Sequence, residues 1–294
     1  MRYFVTGASG WIGSATIAEL HQAGHSVLGL ARSDSSAAAV TALGAEVVRG
    51  ELADLDILRA AAEQTDGVIH LGYVHDFTQM EAAAATDRAA IETFGAALAG
   101  TGKALLIASG TLGLKPGGVG TEDDVPAPGV HPRTDNGRVT LELADQGVRS
   151  IVVRFAPTVH GPKDHGFVAT LVSIAREKGV AGYVGNGANR WPAVHRLDAA
   201  RLVRLAVDKA PARTVLHAVA EEGIETREIA AAIGRGLDLP AVSIPAEQAA
   251  EHFGWMGGFI GADAPASNTT TRALLDWTPT HPTLVEDLDA GAYF

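Results

Sequence analysis

The sequence predicts an α/β fold, with a doubly wound parallel sheet covered by helices and a smaller C-terminal lobe. Short apolar runs alternate with alanine-rich stretches of helical character through the first half, which is typical of repeated βα units. After residue 155 the alternation loosens. Proline and glycine become frequent, as in APTVHGPKDHG and YVGNGANRWPAVH, which indicates a second, irregular lobe.

Each element is predicted from its own apolar pattern, with strands placed on short apolar runs and helices on longer alanine-rich ones. The predicted strands span residues 2–6, 26–31, 46–49, 67–70, 104–108 and 149–154. The predicted helices span residues 12–22, 35–43, 55–64, 87–99 and 138–145. We therefore expect a core at 1–155 and a discontinuous substrate lobe at 156–294, with 213–236 returning to the core as a further βα unit.

Composition narrows the class of protein. The chain has 23 basic and 34 acidic side chains, a formal net charge of −11 and no basic cluster, so we expect no nucleic-acid partner. It has no cysteine, which excludes disulfides, thiolate metal sites and a cysteine nucleophile. No apolar run approaches the roughly 18 residues of a membrane span. The first strand begins next to Met1, so we expect no signal peptide and a cytoplasmic protein.

A glycine-rich turn joins the first strand to the first helix in the stretch TGASGWIG. Gly7 suits the tight turn, Gly10 lets the main chain approach a diphosphate, and Gly13 lets the helix pack near the strand. The helix N-terminus offers unpaired N–H groups and a partial positive charge to phosphates. This context predicts a Rossmann-type dinucleotide site.

TGASGWIG resembles the glycine loop of extended short-chain dehydrogenases/reductases of the epimerase/dehydratase-like group. GELADLDIL, GVIHLGY, LLIASGTLGL, VVRFAPTVHGP and TRALLDWTPTHP match further motifs in the same order, so the resemblance covers nearly the whole chain. It implies that Glu51 and Leu52 flank the adenine. It further implies a cofactor site formed by Gly7, Ser9, Gly10, Trp11, Ile12, Gly13, His70, Leu71, Gly72, Pro157, Thr158 and Val159.

The end of the second strand predicts NADP(H) rather than NAD(H). Relatives that prefer NAD usually close this strand with an acidic residue, whereas here Ala31 is followed by Arg32 and Ser33. An arginine can form charge-assisted bonds to a 2′-phosphate, which a carboxylate would repel. Asp34 is the alternative, as a ligand of the NAD ribose.

The resemblance implies a catalytic Tyr-x-x-x-Lys pair, which this chain lacks. None of its four tyrosines is followed by lysine at the fourth position. The tyrosine position falls near residues 130–131, where His131 and Arg133 are the proton-active or cationic side chains. His131 is one candidate proton donor, and Tyr73 or His75, beyond the fourth strand, is the alternative.

Ser109 follows the fifth strand, where the family's third catalytic residue binds the substrate oxygen, and Thr111 replaces it if the register differs. In the second lobe, Trp191 and His195 are expected at the substrate pocket and Asp198 as the N-cap of a helix. The spacing of the histidines matches no compact metal site, so we expect no metal. The stretch FGWMGGFIG suits a flap over a hydrophobic substrate or an oligomer contact.

Three functions stay open on this sequence. The first is an NADP(H)-dependent oxidoreductase that acts on a small carbonyl or alcohol with a non-standard proton donor. The second is a module that binds NADP(H) without turnover, and the third is a nucleotide-sugar epimerase or dehydratase. The expected partners are a small-molecule substrate and, in a homodimer, a second copy of the chain.

Overall fold

A computed structural model describes residues 1–74, 79–127, 129 and 132–294. Its strands are β1 (Arg2–Thr6), β2 (Ser26–Ala31), β3 (Glu46–Arg49), β4 (Gly67–His70), β5 (Ala104–Gly110), β6 (Arg149–Phe155), β7 (Thr158–His160), β8 (Ala181–Val184), β9 (Arg190–His195), β10 (Thr214–Ala218), β11 (Glu221–Glu225) and β12 (Ala241–Ile244).

The α-helices follow the strands along the chain. They are α1 (Trp11–Gln22), α2 (Asp34–Ala42), α3 (Leu55–Glu63), α4 (Met80–Leu98), α5 (Pro132–Glu142), α6 (Phe167–Lys178), α7 (Arg196–Lys209), α8 (Thr226–Leu237), α9 (Ala249–Phe253), α10 (Thr269–Leu275) and α11 (Leu284–Asp289). Among the described residues, no helix is both long and apolar enough to cross a membrane.

The main sheet has seven parallel strands in the order β10-β6-β5-β4-β1-β2-β3. From β1 the chain adds β2 and β3 on one side, and from β4 it adds β5, β6 and β10 on the other. The strand order therefore reverses between β1 and β4, where the loops that leave their carboxyl ends diverge and open a crevice. This topology confirms the predicted doubly wound, Rossmann-type sheet.

Successive side chains along each strand of the main sheet pack into two separate hydrophobic cores, one on each face. Along β1, Tyr3 and Val5 pack into the cluster that contains α1 and α7, whereas Phe4 points to the cluster that contains α3 and α4. Successive side chains of a strand point to opposite faces, so an apolar strand that is buried on both sides reads as a continuous apolar run.

The C-terminal lobe has its own core. It contains a three-stranded sheet in the order β11-β9-β7 and the pair β12-β8, with α6, α8, α9 and α11 packed around the fully buried Trp191. Two segments depart from the expected division of the chain. Helix α7 lies in the core against α1, and 213–236 is split, because β10 joins the main sheet while α8 buries Ile229 and Ile233 in the lobe.

Candidate active site

An open cleft of about 1000 Å³ crosses the carboxyl ends of the main-sheet strands and reaches the C-terminal lobe. Its walls come from the glycine loop, the ends of β2, β4, β5 and β6, the first turn of α5 and the start of α6. The cleft therefore lies at the reversal of strand order, where open α/β sheets bind their ligands.

The glycine loop closes one end of the cleft with backbone alone. Gly7 has φ of 64°, and a Cβ there would lie 2.7 Å from the amide nitrogen of Gly72. A Cβ on Gly13 would lie 2.1 Å from the carbonyl oxygen of Gly7. Helix α1 begins at Trp11, and its N-cap Gly10 forms no side-chain cap hydrogen bond. The first N–H groups of α1 are thus available to an anion, which fits a dinucleotide pyrophosphate.

Arg32 lines the cleft beyond β2 and is exposed. No described residue forms a hydrogen bond or ion pair with its guanidinium. Asp34 does not line the cleft, and its Oδ1 accepts a hydrogen bond from Nη1 of Arg49 at 2.8 Å. Ser33 caps α2 and also lies off the lining, whereas Ser36 is part of it.

Ser109 and Thr111 both lie on the cleft at the end of β5, but their hydroxyl groups differ in availability. The Thr111 hydroxyl is 3.4 Å from the carbonyl oxygen of Phe155, to which it donates. The Ser109 hydroxyl has no partner among the described residues, although the residue is only 4% exposed. Ser109 is therefore the hydroxyl that is available to a ligand.

Tyr73 and Arg133 face each other across the cleft wall. The guanidinium carbon of Arg133, in the first turn of α5, lies 4.1 Å from the ring centroid of Tyr73, beyond β4. Burial raises the pKa of Tyr73 above its ordinary value, and the Arg133 cation offsets part of that rise. The phenol hydroxyl consequently keeps its proton at neutral pH, which is the state required of a proton donor.

A buried polar chain lies behind this pair. The amide of Gly72 donates to Oγ1 of Thr6 at 3.0 Å, and that oxygen lies 2.7 Å from Nδ1 of His70. Nε2 of His70 lies 3.1 Å from Asp87, whose other oxygen accepts from Nδ2 of Asn136 at 2.6 Å. Every donor is satisfied when the Thr6 hydroxyl donates to Nδ1 and Nε2 donates to the carboxylate.

Asp87 stays ionised in this chain. Burial opposes its ionisation, but hydrogen bonds from His70 and Asn136 outweigh that effect and hold its pKa below the ordinary value. The His70 side chain does not line the cleft, so its part is to fix the end of β4 and the first turns of α4 and α5.

The loop after β7 closes the cleft next to the glycine loop. Trp11 donates from Nε1 to the carbonyl oxygen of Val159 at 2.8 Å, and its ring meets His165 edge-on at a centroid distance of 5.5 Å. Asp164 accepts from the amide of Gly166 at 2.6 Å and from the Tyr293 hydroxyl at 2.9 Å. Burial raises the pKa of Asp164. No sequence motif marks Asp164 or His165 as residues of the site.

The cleft lining includes most of the residues that the sequence predicts to bind the cofactor. These are Gly7, Ser9, Gly10, Trp11, Ile12, Gly13, Arg32, Glu51, Leu52, Leu71, Gly72, Pro157, Thr158 and Val159. Of the candidate catalytic residues, Ser109 and Tyr73 lie there, whereas His131 and the alternative His75 lie outside the described residues.

Trp191 and His195, expected at the substrate pocket, do not line the cleft. Trp191 is fully buried in the lobe and donates from Nε1 to the carbonyl oxygen of Ala262 at 3.1 Å. His195 is the N-cap of α7, where its Nδ1 accepts from the amide of Leu197 at 3.2 Å. The prediction that Asp198 caps this helix is therefore wrong.

Asp198 instead ties the C-terminal segment to α7. It is fully buried, and its oxygens accept from the amides of Thr280 and His281. His195, Asp198 and His281 place one potential metal-ligand atom each within 4.8 Å of one another, a grouping that sequence spacing did not reveal. These three residues lie off the cleft lining.

The reversed sheet and the glycine loop at the reversal define a nucleotide-binding α/β protein. Residues 3–217 match the NAD dependent epimerase/dehydratase family, and the chain belongs to that family. An uncharacterized protein of Schizosaccharomyces pombe is 48% identical over 296 residues, which is 100% of both chains.

Solved structures show the same fold. UDP-glucose 4-epimerase of Thermotoga maritima, crystallised with UDP-glucose, superposes with a TM-score of 0.80 at 18% identity, over 100% of this chain and 98% of that one. The dTDP-glucose 4,6-dehydratase DesIV of Streptomyces venezuelae, crystallised with NAD, gives a TM-score of 0.79 at 18% identity, over 99% and 96% of the two chains.

Proposed function

We propose that the protein is an NADP(H)-dependent oxidoreductase that interconverts a small carbonyl compound and its alcohol. The observation that carries this proposal is the convergence of three features in one cleft. A glycine cradle suited to a pyrophosphate lies at one end, the available Ser109 hydroxyl lies at the end of β5, and Tyr73 lies against the Arg133 cation. Family membership supports a nicotinamide dinucleotide as the cofactor.

The environment of Arg32 supports NADP(H) over NAD(H). Its guanidinium lines the cleft with no described partner, so it is available to a 2′-phosphate. Asp34, the residue that would favour NAD(H), is engaged by Arg49 and lies off the lining. Ser36, at the start of α2, also lines the cleft, although its hydroxyl donates to the carbonyl oxygen of Ser33 at 2.9 Å.

The chain's own residues supply binding and proton transfer. Ser109 donates a hydrogen bond to the carbonyl oxygen, and the Tyr73 phenol donates the proton that this oxygen gains on reduction. Arg133 takes the electrostatic part of the missing lysine, since its cation stabilises the phenolate left on Tyr73. Bound NADPH would supply the hydride.

The test is consumption of NADPH by the purified protein with a panel of aldehydes and ketones, followed by absorbance. We expect turnover, and we expect Ser109→Ala to reduce it strongly while leaving NADPH affinity unchanged. Tight NADPH binding without turnover across the panel would favour a non-catalytic NADP(H)-binding module instead.

A second candidate is a nucleotide-sugar epimerase or dehydratase. It is favoured by fold similarity over nearly the full length to two enzymes named for UDP-glucose and dTDP-glucose. We place it second because those reactions depend most on the tyrosine that this chain lacks. Conversion of UDP-glucose or dTDP-glucose without net change in the cofactor would establish it.

A further inference from the structure

The C-terminal lobe presents an aromatic wall to the cleft. We use this name for Phe167 and Trp255, whose ring centroids lie 5.7 Å apart and which both line the cleft. Phe259 supports the wall from behind, at 5.4 Å from Phe167 and 5.6 Å from Trp255. Trp191 stacks on Phe259 at 6.0 Å with an interplanar angle of 13°. The wall is therefore one face of an aromatic cluster that reaches into the core of the lobe.

Trp255 is held in place by its neighbours. Gly254, just before it, has φ of 58°, a conformation that favours glycine. Met256, just after it, is fully buried, and a Cβ on Gly257 would lie 2.5 Å from Cα of Ala250. Trp255 nevertheless remains 48% exposed. An anchored turn thus presents a large apolar surface to the cleft, where a ligand can cover it.

The main-sheet side of the cleft also carries exposed apolar side chains. Val74, next to Tyr73, and Met80, at the start of α4, line the cleft from the main-sheet side, whereas Leu112 lines it and packs against the core of the lobe. Val74 and Met80 are 41% and 48% exposed. The same cleft that holds the Ser109 hydroxyl therefore offers apolar surface from both the main-sheet side and the lobe to the rest of a ligand.

The lobe side of the cleft lacks the charge that a sugar nucleotide needs. Among the described lining residues, the lobe contributes no lysine or arginine. The start of α6 could bind a phosphate, but the Asp164 carboxyl already accepts the Gly166 amide there at 2.6 Å. A second pyrophosphate would meet that carboxyl rather than a cation.

We propose that the substrate is a flat aromatic carbonyl compound, or the corresponding alcohol, whose ring packs on the aromatic wall while its oxygen bonds Ser109. This inference rests on the proposed function and narrows it to one substrate class. Offset or edge-to-face packing on Trp255 supplies affinity that a short aliphatic carbonyl cannot gain.

The test is calorimetric titration of 2-naphthaldehyde and of propanal into the full chain saturated with NADP⁺, which needs no turnover. We expect naphthaldehyde to bind more tightly than propanal. We expect Trp255→Ala to weaken naphthaldehyde binding by about 3- to 10-fold and to leave propanal unchanged. Leu274→Ala, which removes an exposed apolar side chain off the cleft lining, is the matched control.

Equal affinities for the two aldehydes, or unchanged naphthaldehyde binding in Trp255→Ala, would overturn the aromatic assignment even if NADPH oxidation by other carbonyls stands. Tight naphthaldehyde binding without turnover would leave the binding site intact and contradict the oxidoreductase. Binding of UDP-glucose in place of naphthaldehyde would also overturn the assignment.

Discussion

At the scale of single residues, Arg32 sets the expected cofactor preference. Its exposed guanidinium lines the cleft where β2 ends, and no described residue pairs with it. A charge-assisted contact of about 1.5–3 kcal/mol corresponds to a roughly 10- to 150-fold difference in affinity.

We predict that Arg32→Ala weakens NADPH binding by about 10- to 100-fold and NADH binding by much less, because only NADPH carries the 2′-phosphate. Equilibrium fluorescence titration with each nucleotide measures both affinities. Arg59→Ala, an exposed arginine off the cleft lining, serves as the control. Equal weakening of both nucleotides would refute the assignment of Arg32 to the phosphate.

The identity of the proton donor, a tyrosine or a histidine, is also a question about single residues. Burial raises the pKa of Tyr73, so a tyrosine donor keeps its proton throughout the neutral range. A histidine donor, with an ordinary pKa of about 6.5, would lose its proton above neutral pH.

We predict that carbonyl reduction stays level from about pH 6 to pH 9 and that Tyr73→Phe lowers kcat by roughly 10²- to 10⁴-fold. Steady-state kinetics across this range provides the measurement, with Tyr183→Phe, off the cleft, as control. A rate that falls above pH 7 and survives in Tyr73→Phe would contradict this role and favour His131.

At the scale of secondary-structure elements, the junction of β1 and α1 depends on close backbone contact. We predict that Gly13→Ala abolishes dinucleotide binding, because its Cβ would lie 2.1 Å from the Gly7 carbonyl oxygen and must displace the loop. Calorimetry with NADPH tests this. Gly137→Ala is the contrast, since its Cβ would meet Val152 at an ordinary 3.6 Å. That change in α5 should stabilise the fold by about 0.5–1 kcal/mol.

The N-terminus of α7 makes stability depend on pH. Burial lowers the pKa of His195 to about 4, so the folded state binds fewer protons than the unfolded state between pH 6.5 and 4. The contribution of His195 to the free energy of unfolding is fully present above pH 6.5 and is lost as the pH falls to about 4. We predict that His195→Asn, which keeps a capping side chain, flattens the pH dependence of the free energy of unfolding in urea across this window. If the free energy of unfolding of His195→Asn depends on pH as steeply as that of the unmodified protein, another group causes this dependence.

The strands were predictable because a buried parallel strand reads as an apolar run bounded by turns. Four of the six predicted strands match β1–β4 in both bounds, and β5 and β6 extend slightly further. Two helix starts were predicted wrongly. Helix α5 begins at Pro132 and not at residue 138. The residues PRTDNG favour turns, but here they form the start of the helix, where proline is tolerated in the first turn. Helix α4 begins at Met80, seven residues before the predicted start, in an alanine run without a capping signal.

The candidate site was predictable only where a local motif marks it. The glycine loop and Ser109 follow strand ends directly, so their positions in the sequence place them on the cleft. The pairing of Tyr73 with Arg133 joins two segments far apart in the chain, and no local pattern encodes it. The sequence predicts Trp191 at the substrate pocket, but its ring lies within the lobe, 6.0 Å from the ring of Phe167.

At the scale of the whole molecule, the cleft joins the main sheet to the lobe, so a ligand that binds it should stabilise the entire fold. We predict that NADPH at about 100 times its Kd adds roughly 2.7 kcal/mol and raises Tm by about 4 °C. Thermal unfolding with and without NADPH measures the shift. Adding NADPH to Gly13→Ala should leave its Tm unchanged. A Tm increase equal to that of the unmodified protein would mean that the nucleotide binds at another site.

Every function proposed for this protein requires that the folded chain bind a nicotinamide dinucleotide at the glycine loop. Isothermal titration calorimetry of the unmodified protein with NADPH tests this capacity. We predict saturable binding at one site per chain, tighter for NADPH than for NADH. The absence of measurable binding by either nucleotide would contradict the account.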